Sequence, residues 1–376
     1  MAVTILTGDC REVLRTLPEG SFHACVTSPP YYQQRDYGVA GQIGQEQSPD
    51  EYVTEMVGVF REVRRVLRAD GSLWLNLGDS YASSGRGGNP TLASSTLQGG
   101  HDTQRASAAS RRRSRLSPGL KPKDLIGIPW MVAFALRADG WYLRSCNIWA
   151  KPNGMPDSAI DRTSPAHEYV FQLSKSRRYY HGYDDVKLPP VPDSVARLER
   201  SMRSKLGDPS DKLVISGDGY APPGQPPHAS ARWHDVGSSA PGQEPHSATR
   251  RSDKQRGHTR RHAGFNDRWD AKEKARQQAD GAALRSVWWI APGGYDEAHF
   301  AVMPAELAAV CILAGSPPEG AVVDPFGGAG TVGLVADRLG RNATLIELNP
   351  EYVAMAAERI RRDAGMFSDV RGPEAA

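Results

Sequence analysis

Cysteine is scarce in this chain, and long apolar runs are missing altogether. Cys10, Cys25, Cys146 and Cys311 are the only four in 376 residues and form no CxxC pair or Cys/His knuckle. That spacing argues against a structural zinc site and a disulfide framework, and no metal is expected. No stretch approaches 18 consecutive apolar residues, the length needed to cross a bilayer as a helix. The opening MAVTILTGDC lacks the charged-then-apolar layout of a signal peptide. A cytoplasmic protein with no membrane association is expected. Excess charge is lacking as well, since 46 Lys+Arg face 43 Asp+Glu for a net +3. Any nucleic-acid contact must therefore come from local clusters rather than from the total.

What is present is an ordinary globular composition, 39% hydrophobic and 24% charged, on a chain long enough for one large domain with an insertion. Short β-like runs at 3–6, 23–27, 72–77, 321–324 and 344–347 alternate with helical patterns at 11–17, 49–68, 304–314, 331–339 and 352–362. Gly71 is read as the stop of the long 49–68 helix. A further helix is expected over 129–139, and strands over 141–149 and 168–174 could pair antiparallel. The β-α-β-α alternation predicts an α/β protein with a parallel sheet and helices on both faces. Two segments break the pattern. Residues 83–123 are rich in Ser, Gly and Arg, including Arg111, Arg112 and Arg113, and read as a mobile basic loop. Residues 191–285 carry PPVP, APPGQPP and a basic cluster containing Arg260 and Arg261, and read as an irregular, partly disordered insertion. After the last helix the tail is short and polar.

Two constellations carry chemistry. In Val322-Val323-Asp324-Pro325-Phe326-Gly327-Gly328-Ala329-Gly330-Thr331-Val332-Gly333 a strand runs through a glycine-rich turn into a helix. Such a turn lets a ligand approach the backbone. Gly328-x-Gly330-x-x-Gly333 matches the dinucleotide fingerprint, and Glu347, 19 positions after Gly328, ends the next strand where a ribose-binding carboxylate belongs. Taken alone, this supports only an adenosine-type cofactor and leaves a nicotinamide oxidoreductase open. The second constellation is Ser28-Pro29-Pro30-Tyr31, directly after an apolar strand. Its prolines force the chain out of the sheet and present the Ser28 hydroxyl and Pro29 carbonyl as acceptors beside an aromatic face. A planar, amine-bearing base would suit them. A nicotinamide enzyme leaves this motif unexplained, and a non-catalytic DNA-binding module would gain nothing from it.

With both in place the sequence resembles the amino-methylating (N4-cytosine/N6-adenine) DNA methyltransferases in the permuted β-group order, where the catalytic half precedes the cofactor half. The resemblance rests on Thr27-Ser28-Pro29-Pro30-Tyr31-Tyr32, Leu75-Asn76-Leu77-Gly78-Asp79, Trp149-Ala150-Lys151-Pro152-Asn153, Met155-Pro156, Asp161-Arg162, His167-Glu168, His299-Phe300, Asp324-Pro325-Phe326 and Glu347-Leu348-Asn349-Pro350. It implies a circularly permuted Rossmann-like methyltransferase sheet using S-adenosylmethionine. Residues 1–190 would form the catalytic half, 286–376 the cofactor half, and 191–285 a target-recognition insertion. In the permuted order, residues 3–7 would supply the strand beyond the one ending at Glu347, since permutation is tolerated where termini lie close.

By the same resemblance Asp324, Phe326, Gly328, Gly330, Thr331, Glu347 and Asn349 would bind the cofactor, with Asp9 by the adenine and Phe300 closing over the methionine part. Asp9 could equally cap the following helix. Ser28, Pro29, Pro30 and Tyr31 would hold the target amine of a base flipped out of double-stranded DNA. Lys151, Asn153 and Arg162, with the arginine clusters, are candidate DNA contacts. Ser at the first motif position leans toward N4 of cytosine in this family, Asp or Asn toward N6 of adenine. Carbon-5 methylation would need a thiolate nucleophile, and no Pro-Cys element exists; Cys10 reads as packing. A monomer or homodimer is expected, and a restriction enzyme of the same specificity would be a counterpart rather than a stable partner.

Overall fold

The computed structural model describes residues 1–82, 119–154, 157, 159–188, 283–292, 302–364 and 369–372. Arg111, Arg112, Arg113, Arg260, Arg261 and Phe300, with most of the 83–123 loop and of the 191–285 insertion, lie outside the described residues. Residues 1–186 and 283–376 make up one compact unit.

The chain opens with β1 (Ala2–Thr7), α1 (Cys10–Thr16) and β2 (Phe22–Thr27), followed by α2 (Pro49–Val66) and β3 (Leu67–Leu77). Then come α3 (Ile128–Ala138), β4 (Tyr142–Ala150) and β5 (His167–Ser174). The closing part contains β6 (Val287–Trp289), α4 (Ala305–Gly315), β7 (Ala321–Asp324), α5 (Thr331–Arg338), β8 (Asn342–Glu347), α6 (Pro350–Ala364) and β9 (Asp369–Arg371).

α2 forms where the apolar period is sharpest. A capping box between Ser48 and Glu51 starts it, and Tyr52, Met56, Val59, Phe60, Val63 and Val66 are buried along one stripe. It stops at Val66, short of the expected Gly71. The carbonyls of Arg65 and Val66 are taken by the amides of Gly20 (3.2 Å) and Ser21 (2.8 Å), and Leu67 already pairs with Phe22. Gly71 lies inside β3, not at a helix stop.

Among the described residues the nine strands join one sheet, in the order β6-β4-β5-β3-β2-β7-β8-β1-β9. It is mixed rather than all-parallel. β5 runs antiparallel to β3 and to β4, as the paired 141–149 and 168–174 segments suggested. β1 lies parallel to β8 from Val3↔Ala343 to Thr7↔Glu347, the place expected for residues 3–7. The polar tail does more than expected, because β9 adds parallel to the far side of β1 through Ala2↔Asp369 to Thr4↔Arg371.

Helices cover both faces. Leu14 of α1, Tyr52, Met56 and Phe60 of α2, and Val132 and Leu136 of α3 fill one core. Leu307 and Ile312 of α4, Val335 of α5 and Ile360 of α6 fill the other. Each such side chain contributes about 1.5–3 kcal/mol by burial. From the neighbouring strands β2 and β7 the chain winds outward in opposite directions, toward β3 on one side and toward β8 on the other. The crevice at the carboxyl ends of two such strands is where open α/β sheets bind ligands.

Candidate active site

Both chemical motifs open from that crevice. Cys25 of β2 is level with Val323 of β7, so the chain leaves the sheet as Thr27-Ser28-Pro29-Pro30-Tyr31 on one strand and Asp324-Pro325-Phe326 on the next. A hydrogen bond fastens them: the Thr27 hydroxyl donates to Asp324 Oδ1 at 2.6 Å. The same oxygen accepts the Phe326 amide at 3.0 Å. Asp324 is 3% exposed, and burial pushes its carboxyl up to about 7 against the pull of those two donors.

Beyond Asp324 the glycine turn and Glu347 form one unit. Glu347 Oε2 accepts the Gly328 amide and Oε1 the Asn349 amide, both at 2.8 Å. Burial raises the Glu347 carboxyl above its ordinary value while these backbone donors oppose the shift. Gly328 has φ +48°, and a Cβ there would meet nothing nearer than the Phe326 carbonyl at 3.9 Å. The backbone is thus open to a ligand at this point, with a half-buried carboxylate beside it and half-buried Phe326 nearby. These residues fit an adenosine-bearing cofactor. Gly330 faces elsewhere: its φ is +75° and a Cβ would lie 2.8 Å from Ala356 Cβ, so its bareness serves the packing of α5 on α6. The buried Thr331 hydroxyl accepts from Arg359 at 2.9 Å. Asn349 Oδ1 accepts the Glu351 amide at the start of α6. Asp9 caps α1 through the Arg11 amide at 2.8 Å and pairs with the Arg11 guanidinium at 2.5 Å, which holds its carboxyl below the usual range. It also sits beside Glu347, because the Gly8 amide donates to the Glu347 carbonyl at 2.9 Å.

On the other side of the crevice the Pro30 carbonyl is taken by the Tyr52 hydroxyl at 2.9 Å. Among the described residues no donor reaches the Pro29 carbonyl. The Tyr31 ring lies against Gly78, where a Cβ would come within 2.7 Å of it. Its hydroxyl donates to Glu168 Oε2 at 2.6 Å and accepts from Asn76 Nδ2 at 3.0 Å and from the Ser28 hydroxyl at 3.3 Å. Asn76 Nδ2 also donates to Glu168 at 2.8 Å, and Lys151 pairs with the other Glu168 oxygen. Burial and the Glu168 charge push the Tyr31 phenol well up, so it stays protonated.

Residues 22–358 match the DNA methylase family of N6 and N4 methyltransferases. The chain belongs to this family. It is 37% identical over 358 residues to the Type II methyltransferase M.SmaI of Serratia marcescens, covering 95% of this chain and 90% of that protein. Similarity to M.Cfr9I of Citrobacter freundii is 36% over 358 residues, covering 95% and 87%. Among solved structures, the cytosine-N4-specific PvuII DNA methyltransferase shares the fold at TM-score 0.54 and 17% identity, covering 99% of this chain and 95% of that one. A putative DNA modification methylase from Thermus thermophilus, solved with S-adenosyl-L-methionine, does so at TM-score 0.52 and 21% identity, with full coverage of both chains. The family's methyl donor is S-adenosylmethionine.

In this methylase the remaining described candidates have separate surroundings. Lys151 is tied to Glu168 and lies over the Trp149 ring at 4.5 Å. Asn153 is exposed in a turn. Arg162 pairs with Asp157 at 2.5 Å and stacks over Tyr81 at 3.8 Å, while Asp161 is held by Lys123 at 2.5 Å. Cys10 is buried, and burial pushes its thiol up to about 12, the wrong direction for a nucleophile. Sequence reasoning quoted Asn76 and Glu168 within motifs but gave them no role. Their signal is three-dimensional: Asn76 is level with Val170 in the β3–β5 pair, which brings Glu168 up to the Tyr31 hydroxyl.

Proposed function

We propose that this DNA methylase transfers the methyl group of S-adenosylmethionine to the exocyclic N4 of cytosine in a specific duplex sequence. One observation carries the reading. Ser28 and Pro29 directly follow the carboxyl end of β2, one strand from the glycine turn that follows β7, and the Ser28 hydroxyl donates to Tyr31. The Ser28 hydroxyl and Pro29 carbonyl oxygens then present lone pairs to an amine. An exocyclic amine is a weak nucleophile because its lone pair is delocalised into the ring. Two acceptors holding its N–H groups localise that pair, and positioning with electrostatics supplies most of the acceleration.

The bound donor contributes an electrophilic methyl on a sulfonium. Glu347 would hold the ribose hydroxyls, with Gly328, Gly330, Thr331, Asn349, Asp9, Phe326 and Phe300 around the adenosine and methionine parts and Asp324 facing the cationic end. The target base leaves the duplex and stacks on Tyr31. Residues 191–285 would read the sequence. Lys151, Asn153, Arg162 and the arginine clusters at 111–113 and 260–261 would contact the strand. The cytosine assignment draws on Ser28 and on the fold shared with the cytosine-N4-specific PvuII enzyme.

The test is nucleoside mass spectrometry of DNA incubated with the protein and S-adenosylmethionine, where N4-methylcytosine is expected. N6-methyladenine alone overturns the base assignment and leaves amine methylation standing; 5-methylcytosine overturns both. Calorimetry on Glu347→Ala checks the pocket: a loss of donor affinity of at least tenfold is expected, and unchanged affinity in a folded variant refutes it.

A further inference from the structure

Ser28 of the acceptor pair and the three side chains behind it, Tyr31, Asn76 and Glu168, form a hydrogen-bond chain with one polarity. Asn76 fixes that polarity. Its Oδ1 could not sit at 2.8 Å from a carboxylate oxygen, so the group facing Glu168 is the amide nitrogen, which also donates to the Tyr31 hydroxyl. The Tyr31 oxygen receives Asn76 and Ser28, which leaves its own proton for Glu168 at 2.6 Å. Every hydroxyl therefore points from Ser28 to Tyr31 to Glu168. The end of the chain is partly open, with side-chain exposures of 14% for Glu168 and 23% for its partner Lys151.

From this arrangement we infer that Glu168 is the sink for the proton lost by the methylated amine, delivered through the hydroxyls of Ser28 and Tyr31. The inference rests on the reading of Ser28 as an acceptor of the target amine. Methyl transfer consumes the nitrogen lone pair, while sulfur keeps the electrons of the broken carbon–sulfur bond. The nitrogen becomes an aminium that must shed a proton to restore the base. Its N–H bond breaks with the pair returning to nitrogen, and the proton passes to Ser28 Oγ. The proton of Ser28 moves to Tyr31 Oη, and that of Tyr31 to Glu168 Oε2. Serine and tyrosine end as they began, the base is a neutral methylamine, and Glu168 is protonated beside the Lys151 ammonium. Glu168 then returns the proton to water at its exposed edge. An aminium on a nitrogen whose lone pair belongs to an aromatic ring is a stronger acid than a carboxylic acid. A carboxylate is therefore a sufficient acceptor for that proton. Glu168 touches neither base nor donor and acts through Tyr31, as a positioning and proton-accepting residue.

Single-turnover methylation of unmodified, in-vitro-amplified genomic DNA tests this, with donor and DNA affinities measured alongside. Glu168→Gln and Tyr31→Phe are each expected to slow the chemical step about 100-fold while shifting either affinity less than threefold. Because both break one chain, the double variant should be no slower than the slower single. Glu168→Asp, which keeps the carboxylate, should recover part of the rate, and the wild-type step should slow in deuterium oxide. If Glu168→Gln does not fold, Tyr31→Phe, Glu168→Asp and the solvent isotope effect still decide. A Glu168→Gln rate within threefold of wild type, single effects that multiply in the double variant, or an absent isotope effect overturns the relay. A wild-type protein that forms no methylated amine base overturns the functional reading together with the relay.

Discussion

Asp324 ties the two halves of the crevice together with a carboxyl group whose ionisation is opposed by its surroundings. Burial raises it to about 7 in the folded chain, against about 3.9 unfolded. The native state therefore holds this proton more tightly. The associated stability is full below about pH 4 and is lost as pH rises toward and through 7. Asn in its place can still accept from Thr27 and Phe326 through Oδ1 and cannot ionise. Asp324→Asn is expected to melt higher than wild type at pH 8, with the gap closing toward pH 4; thermal denaturation across that range checks it. A cationic donor favours the carboxylate, so its affinity for the wild type should rise between pH 6 and 8 and should fall in Asp324→Asn. Calorimetry in two buffers of different ionisation heat would register the released proton. The strand-end positions of Ser28, Asp324 and Glu347 were legible in sequence because each sits in a contiguous motif. Glu168 was not, since its partner Tyr31 lies 137 positions away and nothing local announces the contact.

Among the elements, the glycine turn leading into α5 holds two different demands. At Gly330 a methyl group would collide with Ala356 at 2.8 Å on a left-handed backbone, and Gly330→Ala should cost about 2–4 kcal/mol of stability. Gly328→Ala has only its φ of +48° to overcome. About 1–2 kcal/mol is expected there, and donor affinity should fall because the methyl group enters the open side of the turn. Urea denaturation and calorimetry on the pair separate packing from binding. A fingerprint read from sequence treats both glycines as ligand-facing, because spacing does not reveal which side of a turn is occupied. The same blindness placed the end of α2 at Gly71. Helical periodicity was correct to Val66, but the stop comes from the 20–21 backbone, which captures the helix carbonyls.

For the whole molecule, the permuted order was legible through the resemblance to the permuted methyltransferases, which implied that residues 3–7 would supply the strand beyond β8. The ninth strand was not, since three residues of a polar tail carry no apolar period. β1 lies inside the sheet, between β8 and β9, so a piece ending near residue 190 leaves it without either neighbour. Fragments 1–190 and 191–376 made separately are expected to be unfolded by circular dichroism and unable to bind the donor. Made together they should assemble and recover donor binding. Soluble, folded fragment 1–190 alone would refute this.

The pairing of β1 with β8 also sets a timetable. Ala2 bonds to Asn342 across 340 positions of sequence, so β1 must wait for a partner strand translated some 340 residues after it. Loop closure over such a distance is slow and comes late in folding. The Glu347 carboxylate, proposed to hold the ribose, and the Asp9 corner beside it come together only in that late step. Interrupted synthesis therefore yields chains that carry the Ser-Pro-Pro-Tyr motif but have no place for the methyl donor.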